Sequence, residues 1–178
     1  MKFAYSDPPY LGCCNLYDHF HGDDGACWDD PETHRVQLEY LSDTFPDGWA
    51  YSATSTSLRS LLPLCPDDVR VAAWVKPFAA FKRNVRVAYT WEPVILRGGR
   101  LSSKDGAPPC RDHLATPITM RRGFTGAKPE PFCRWVMDML GWKTGDKLVD
   151  IFPGSGVFGR VLTSAAQEFP FEQQAIGC

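Results

Sequence analysis

Segments typical of β-strands alternate with segments typical of α-helices along the chain. Apolar, β-branched and aromatic runs predict strands at 2–6, 48–54, 69–75, 85–96, 147–152 and 173–177. Amphipathic or capped segments between them predict helices at 31–43, 56–62, 130–140 and 156–167. Strands that alternate with helices indicate an α/β fold: a mostly parallel central sheet with helices on both faces.

The size of the chain limits how many cores it can build. With 178 residues, of which 44% are hydrophobic, the chain is expected to fold as a single domain over 1–178. One stretch, 97–128, interrupts the strand and helix pattern because it is rich in Gly, Pro, Ser, Thr and Arg. It predicts a long, irregular and basic insertion, and loops of this length in compact domains are commonly functional.

The sequence favours a cytoplasmic protein without a metal. No apolar run reaches the roughly 18 residues that span a bilayer, and the first residues lack the pattern of a signal peptide. Seven cysteines without any Cys-x-x-Cys pair predict reduced thiols. The spacing of Cys13, Cys14, His19, His21 and Cys27 fits no common zinc pattern.

Charge is distributed unevenly along the chain. Residues 1–47 contain ten acidic and two basic residues, whereas residues 70–128 contain twelve basic and three acidic residues. A basic face opposite an acidic one is typical of proteins that bind a polyanion such as a nucleic acid. The candidate phosphate-binding residues in the insertion are Arg97, Arg100, Lys104, Arg111, Arg121 and Arg122.

The first predicted strand ends in an unusual turn, "AYSDPPYLG" at 4–12. Ligands of open α/β sheets bind at the carboxyl ends of strands, so this turn is expected at a binding edge. Two prolines remove two N–H donors, and the turn therefore offers acceptors: the Asp7 carboxylate and backbone carbonyls. Such a set suits a ligand with an NH₂ group, and the ring of Tyr10 adds a surface for stacking.

A second turn follows the strand at 147–152, in "DKLVDIFPGSGVFGR" at 146–160. A strand, a glycine-containing turn and then a helix allow a ligand to approach the backbone closely. The turn lacks both the full G-x-G-x-x-G spacing and the lysine of an ATP-binding P-loop. A nucleotide-like ligand other than ATP is therefore expected here.

Together these motifs resemble the amino-methyltransferases that use S-adenosylmethionine (SAM), in the permuted DNA class that carries the catalytic motif before the glycine motif. Residues 7–10, DPPY, match the catalytic tetrapeptide, and 150–156, DIFPGSG, match the glycine motif. The stretch 126–141, "GAKPEPFCRWVMDMLG", is similar to the Lys-Pro element and helix that precede the glycine motif. The strand at 91–99, "WEPVILRGG", is similar to a family strand. Small phage-type DNA methylases are similar in layout.

The resemblance implies a Rossmann-like methyltransferase fold with permuted motif order and assigns roles to residues. Asp7 and the Pro8 carbonyl accept hydrogen bonds from the target amino group in the loop completed by Pro9, and Tyr10 stacks on a flipped base. The implied cofactor-binding residues are Asp150, Phe152, Pro153, Gly154, Ser155, Gly156, Lys128 and Pro129.

Three functions remain open on these grounds. The resemblance favours a DNA adenine-N6 methyltransferase, because Asp7 stands where cytosine-specific relatives tend to carry Ser. An RNA adenosine methyltransferase is the alternative with the same chemistry, although that family carries Trp where Tyr10 stands. The last segment, "FEQQAIGC" at 171–178, lacks the acid that binds the cofactor ribose in the family. A catalytically silent relative, or a homodimer whose partner completes the site, would account for that difference.

Overall fold

The computed structural model describes residues 1–13, 27–78, 85–101, 109–119 and 127–168. Within them, the strands are β1 (Lys2–Ser6), β2 (Gly48–Ser52), β3 (Arg70–Val75), β4 (Trp91–Gly98), β5 (His113–Ala115) and β6 (Lys147–Asp150). The helices are α1 (Pro31–Thr44), α2 (Leu58–Leu61), α3 (Glu130–Leu140) and α4 (Val157–Glu168), and a short 3₁₀ turn, Leu62–Leu64, follows α2. Among these described residues, no helix combines the length and the apolar composition of a membrane-spanning segment.

The described strands form one mixed sheet in the order β5-β3-β4-β2-β1-β6. β1 is parallel to both β2 and β6, and β3 is parallel to β5, whereas β4 is antiparallel to β2 and β3. Five strands therefore share one direction, which confirms the prediction of a mostly parallel sheet. Because β4 runs the other way, its first residues lie at the edge where the other five strands end.

Helices cover both faces of the sheet, as the sequence predicted. Side chains alternate between the faces of a strand, so Phe3 and Tyr5 of β1 pack on one face and Ala4 packs on the other. The first face is covered by α3 and α4, and the second by α1 and α2. Both clusters are apolar and buried, and they hold the sheet whose edge carries the site.

Local sequence signals account for one end of each of two predicted helices that hold this core, α1 and α3. Asp30 caps α1 by accepting a hydrogen bond from the Glu32 N–H at 3.0 Å, and Pro31 occupies the first turn. Gly141 ends α3 in the left-handed conformation, with φ of 64°. The predicted helices at 31–43 and 130–140 are thus confirmed within a residue.

The strand predicted at 85–96 is wrong at both of its ends. β4 begins at Trp91 and continues to Gly98, because its neighbour β3 ends at Val75, directly opposite Trp91. Within the part of the chain that the structure describes, residues 85–90 pair with no strand, and Val87 and Tyr89 are exposed despite their strand-like sequence.

Two described parts of the stretch predicted as an irregular insertion, 97–128, belong to the sheet. The first two residues of this stretch belong to β4, and His113–Ala115 form β5 against β3. A three-residue strand is too short to show alternation, so its partner in the sheet, and not its own sequence, defines it. The strand predicted at 173–177 lies outside the described residues.

Candidate active site

The end of β1 positions the DPPY turn. β1 lies between β2 and β6 and ends at Ser6. The next residues include Pro8 and Pro9, which have no backbone N–H group to donate to a neighbouring strand. Pro8, Pro9 and Tyr10 are buried, while Asp7 is partly exposed. The Tyr10 carbonyl accepts a hydrogen bond from the Cys13 N–H at 2.8 Å, which closes the turn. Asp7 is therefore held at the carboxyl edge of the sheet, as predicted.

Lys128 contacts this turn through its ammonium group. Its Nζ donates to both carboxylate oxygens of Asp7 at 2.8 Å and to the Tyr10 hydroxyl at 2.8 Å. Only 8% of the Lys128 side chain is exposed, and the ammonium also lies 5.9 Å from the centre of the Phe132 ring. Pro129 follows as the buried N-cap residue of α3. The Lys-Pro element thus connects the end of β1 to the helix that covers the sheet.

Glu92 completes the cluster, although it is not among the site residues predicted from the sequence. Its Oε2 accepts a hydrogen bond from the Tyr10 hydroxyl at 3.1 Å and lies 3.8 Å from Lys128 Nζ. Its Oε1 pairs with Lys76, at the end of β3. Burial by itself raises the pKa of Glu92, but the charges of Lys128 and Lys76 outweigh burial and lower the pKa below its ordinary value.

The glycine turn lies beside DPPY. Tyr5 of β1 is opposite Asp150 of β6 in the parallel register, so the segments that follow these two residues leave the sheet at the same edge. Gly154 and Gly156 have φ of 41° and 68°, in the region that L side chains rarely adopt. The Gly156 N–H donates to the Pro153 carbonyl at 2.6 Å, and α4 begins directly afterwards.

Asp150 is a half-buried carboxylate whose Oδ1 is buried and unused as an acceptor. Its Oδ1 has no hydrogen-bond partner among the described residues, while the Phe152 N–H donates to the carboxylate. Burial and, to a smaller extent, the charge of Asp7 raise the pKa of Asp150 to about 6. A cationic donor bound here would satisfy Oδ1 and lower that pKa.

Two of the predicted phosphate-binding residues lie at the opposite edge of the sheet. β4 carries Glu92 at its start and Arg97 near its end, and Arg97 is paired in register with Trp49, near the start of β2. Arg97 forms an ion pair with Asp68 at 2.8 Å, and Arg100 forms one with Asp146 at 2.6 Å. The structure therefore does not bring these two arginines to Asp7, because the antiparallel direction of β4 carries them away from it.

The other predicted phosphate-binding residues divide into two groups. Arg111 is exposed just before β5, and its carbonyl accepts a hydrogen bond from the Trp135 ring at 2.8 Å. The second group lies outside the described residues and consists of Lys104, Arg121 and Arg122. Three members of the discounted metal cluster lie outside them as well: Cys14, His19 and His21.

Asp146 accepts several hydrogen bonds at the opposite edge of the sheet, and its contribution to stability can be tested. It accepts hydrogen bonds from Arg100, from the Lys143 N–H at 2.9 Å and from the N-terminal ammonium group at 2.7 Å. Burial by itself raises the pKa of Asp146, but these donors lower it to about 2. We expect Asp146→Asn to reduce the free energy of unfolding by about 1–3 kcal/mol in urea denaturation at pH 7.

The pH dependence of that loss follows from the sign of the shift. A lowered pKa stabilises the fold above the ordinary pKa of an aspartate, and this contribution disappears as pH falls from about 4 towards 2. The difference in stability between Asp146→Asn and the unmodified protein should therefore shrink over this range. A difference that is constant from pH 7 to pH 2.5 would contradict the assignment.

Comparisons with known proteins identify the fold. No protein-family model and no curated protein matches the chain. The structure of M1.HpyAVI in complex with SAM is similar to it, with a TM-score of 0.57 and 14% identity over 92% of this chain and 78% of that chain. M1.HpyAVI has a TM-score of 0.59 and 10% identity over 93% of this chain and 76% of that chain. TTHA0409 of Thermus thermophilus, assigned as a DNA modification methylase, has a TM-score of 0.51 and 15% identity over 93% of this chain and 77% of that chain. The chain therefore has the Rossmann-like α/β fold of these methylase structures.

Proposed function

We propose that the protein transfers a methyl group from SAM to an exocyclic amino group of a base in DNA, and that the acceptor is adenine N6. One observation carries the proposal: the DPPY turn and the glycine turn follow neighbouring parallel strands and leave the sheet side by side. A methyl donor held by one turn and an amino group held by the other would be adjacent. The SAM complex with the same fold supports this choice of donor.

The residues at the glycine turn fit SAM. Its methionine part carries an ammonium group, which would satisfy the unpartnered Oδ1 of Asp150. A Cβ added at Gly154 would meet no atom closer than the Phe152 carbonyl oxygen, at 3.7 Å, so this backbone is open to a ligand. The turn that we propose to hold the cofactor is completed by Pro153, Ser155 and Gly156. When bound, SAM supplies a methyl group activated by a positively charged sulfur.

The charge of the site suits this cofactor. Among the described residues, it contains three carboxylates, Asp7, Glu92 and Asp150, and two ammonium groups, Lys76 and Lys128. The excess of one carboxylate favours a ligand with a sulfonium charge over a phosphate-rich nucleotide. This balance agrees with the absence of a P-loop lysine from the turn itself.

Asp7 and Pro8 would orient the acceptor. The lone pair of an aromatic amino group is delocalised into its ring, so the nitrogen becomes nucleophilic only when it is held in a pyramidal geometry. Hydrogen bonds from its two N–H groups to the Asp7 carboxylate and the Pro8 carbonyl would favour that geometry in the transition state. As the new N–C bond would form, the bond between the methyl group and sulfur would break and leave its electron pair on sulfur as a neutral thioether. One N–H proton would then be lost, and Asp7 is placed to accept it or to pass it to water.

The identity of the methylated base tests this proposal. The purified protein is incubated with methyl-labelled SAM and either unmethylated genomic DNA or RNA, and the product is digested to nucleosides. We expect label in N6-methyldeoxyadenosine and at least about tenfold less label in RNA. Label in N4-methyldeoxycytidine would change the assigned base, and preferential label in RNA would change the assigned substrate.

Binding of SAM should depend on the ionisation of Asp150. Because the pKa of Asp150 is raised to about 6 and a cation binds only its ionised form, affinity should rise as pH increases from 5 to 7. A group with this pKa gains about tenfold in its ionised fraction over that range. Calorimetric titration should show this gain in the unmodified protein and a flat, weaker affinity in Asp150→Asn. Equal pH dependence in both proteins would contradict the role of Asp150.

A further inference from the structure

We infer that Lys128 moves between two carboxylates during the proposed reaction: it holds Asp7 before the target base binds and is received by Glu92 afterwards. Glu92 is thus a positioning residue that acts through Lys128. The inference deepens the proposed function and rests on it for its kinetic consequences. Asp7, the predicted acceptor of the base amino group, is already paired with the ammonium group of Lys128.

Lys128 and Tyr10 already share the carboxylate that a base amino group would need. The Lys128 Nζ lies 2.8 Å from Oδ1 and 2.8 Å from Oδ2, and the Tyr10 hydroxyl lies 3.0 Å from Oδ1. Oδ2 is thus the oxygen with an acceptor site left for the amino group, which would share it with the ammonium group. When Asp7 then accepts the proton released by the amino group, it loses its charge and its hold on Lys128.

The displaced ammonium group needs a nearby counterion, because the Lys128 side chain is 8% exposed. The centres of the Trp74 and Phe132 rings lie within about 6 Å of Nζ, and removing a charge from its partner in such surroundings is costly. Oε2 of Glu92 lies 3.8 Å from Nζ. A shift of about 1 Å would bring the two groups to normal hydrogen-bond distance.

Tyr10 links the two carboxylates. Its hydroxyl lies 3.0 Å from Asp7 Oδ1 and 3.1 Å from Glu92 Oε2, and it has a single proton to donate. When Lys128 pairs with Glu92, this proton can be donated to Asp7 Oδ1, which leaves Oδ2 for the amino group of the base. The Tyr10 hydroxyl can therefore donate its proton to whichever of the two carboxylates is not paired with the ammonium group of Lys128.

Lys76 pairs with one carboxylate oxygen of Glu92 and leaves the other oxygen facing Lys128. It pairs with Oε1, while Oε2 faces Tyr10 and Lys128. Its backbone N–H donates to the Thr90 carbonyl at 2.7 Å, at the base of the connection between β3 and β4. Glu92 is therefore fixed by one cation on one oxygen and open to a second cation on the other.

A crystal structure of Asp7→Asn tests the movement without any activity. The neutral amide imitates an Asp7 whose charge no longer holds Lys128. We expect the distance between Lys128 Nζ and Glu92 Oε2 to fall from 3.8 Å to hydrogen-bond distance. An ammonium group that stays on the side chain of residue 7, or that turns to solvent, would overturn the inference.

Kinetics provide the second test. Glu92→Gln should raise KM for unmethylated DNA about tenfold or more while leaving the Kd of SAM within twofold, because a neutral amide cannot receive the charge of Lys128. In the Lys128→Met background the same substitution should change KM by less than about twofold, since the group through which it acts is gone. Glu39→Gln, an exposed carboxylate of α1, is the matched control and should behave as the unmodified protein.

The outcomes separate the inference from the proposed function. If the unmodified protein methylates DNA but Glu92→Gln leaves KM unchanged, the inference falls and the function stands. Equal effects of Glu92→Gln with and without Lys128 would also overturn it, because Glu92 would then act independently of Lys128. If the unmodified protein transfers no methyl group, the proposed function falls, and the Asp7→Asn structure still decides whether Lys128 moves.

Discussion

Replacement of Asp7 by Ala is expected to reduce methyl transfer by at least about 10³-fold and to change the affinity for SAM by no more than about tenfold. The carboxylate is the acceptor at the end of β1 that would orient the amino group, whereas the cofactor would be held by the neighbouring turn after β6. The loss should therefore appear in kcat. Lys128 remains beside Glu92 in this variant, so its charge stays partly compensated.

Single-turnover transfer from labelled SAM, together with calorimetric titration of SAM, measures the two effects separately. Asp68→Ala is the matched control, because Asp68 is an exposed carboxylate paired with Arg97 at the opposite edge of the sheet. It should leave both transfer and binding unchanged. Turnover of Asp7→Ala within tenfold of the unmodified protein would contradict the role of Asp7 in the reaction.

Replacement of Gly156 by Val is expected to abolish measurable SAM binding, corresponding to a loss of at least about 100-fold in affinity, or about 2.7 kcal/mol. Gly156 has φ of 68°, and a β-branched residue is strained in this conformation. An added Cβ would also lie 3.3 Å from the Arg160 guanidinium, which donates to the Ser155 carbonyl. The turn would have to change shape at the place where the cofactor is proposed to bind.

Gly159→Ala separates this local effect from a general loss of folding. Gly159 lies in α4, three residues beyond Gly156, and a Cβ there meets nothing within 4 Å. This substitution should preserve SAM binding and raise stability by about 0.5–1 kcal/mol, because alanine favours the helix. Thermal melting of both variants provides the folding control. Normal SAM affinity in a folded Gly156→Val would show that the cofactor binds elsewhere.

Local patterns were sufficient to predict most of the fold. β1 and β6 are short apolar runs that end in breaker residues, and each turn has a chemical character of its own. Helices α1 and α3 have caps that the sequence shows directly. Those signals involve neighbouring residues only, so they can be recognised without knowing the pairing of the strands.

Those patterns do not predict the direction of a strand, and the direction determines which charged residues lie close together. The sequence of β4 does not indicate whether the strand is parallel or antiparallel to its neighbours. The antiparallel pairing places Glu92 beside Tyr10 and Arg97 at the opposite edge of the sheet. Glu92 was therefore missed as a site residue. Its one local signal is an acid between Trp91 and Pro93 at the start of a buried strand.

Lys128 shows a similar limit. Its place before a capped amphipathic helix was predictable, but the atom to which its ammonium group donates depends on how α3 packs on β1. The resemblance implied a contact with the cofactor, and the structure places Nζ on Asp7 and Tyr10. The hydrogen-bond partners of a charged side chain that lies between two motifs can be assigned only when the positions of both motifs in the fold are known.

Methyl transfer to DNA by a SAM-bound sample of the purified protein tests the central claim most directly. SAM is first titrated into the protein by calorimetry, and labelled SAM is then incubated with unmethylated genomic DNA, with Asp7→Ala in parallel. We expect both proteins to bind SAM, and label to appear in the adenine of DNA only with the unmodified protein. A folded protein that binds SAM and leaves the DNA unlabelled, or equal labelling by Asp7→Ala, would contradict the central claim.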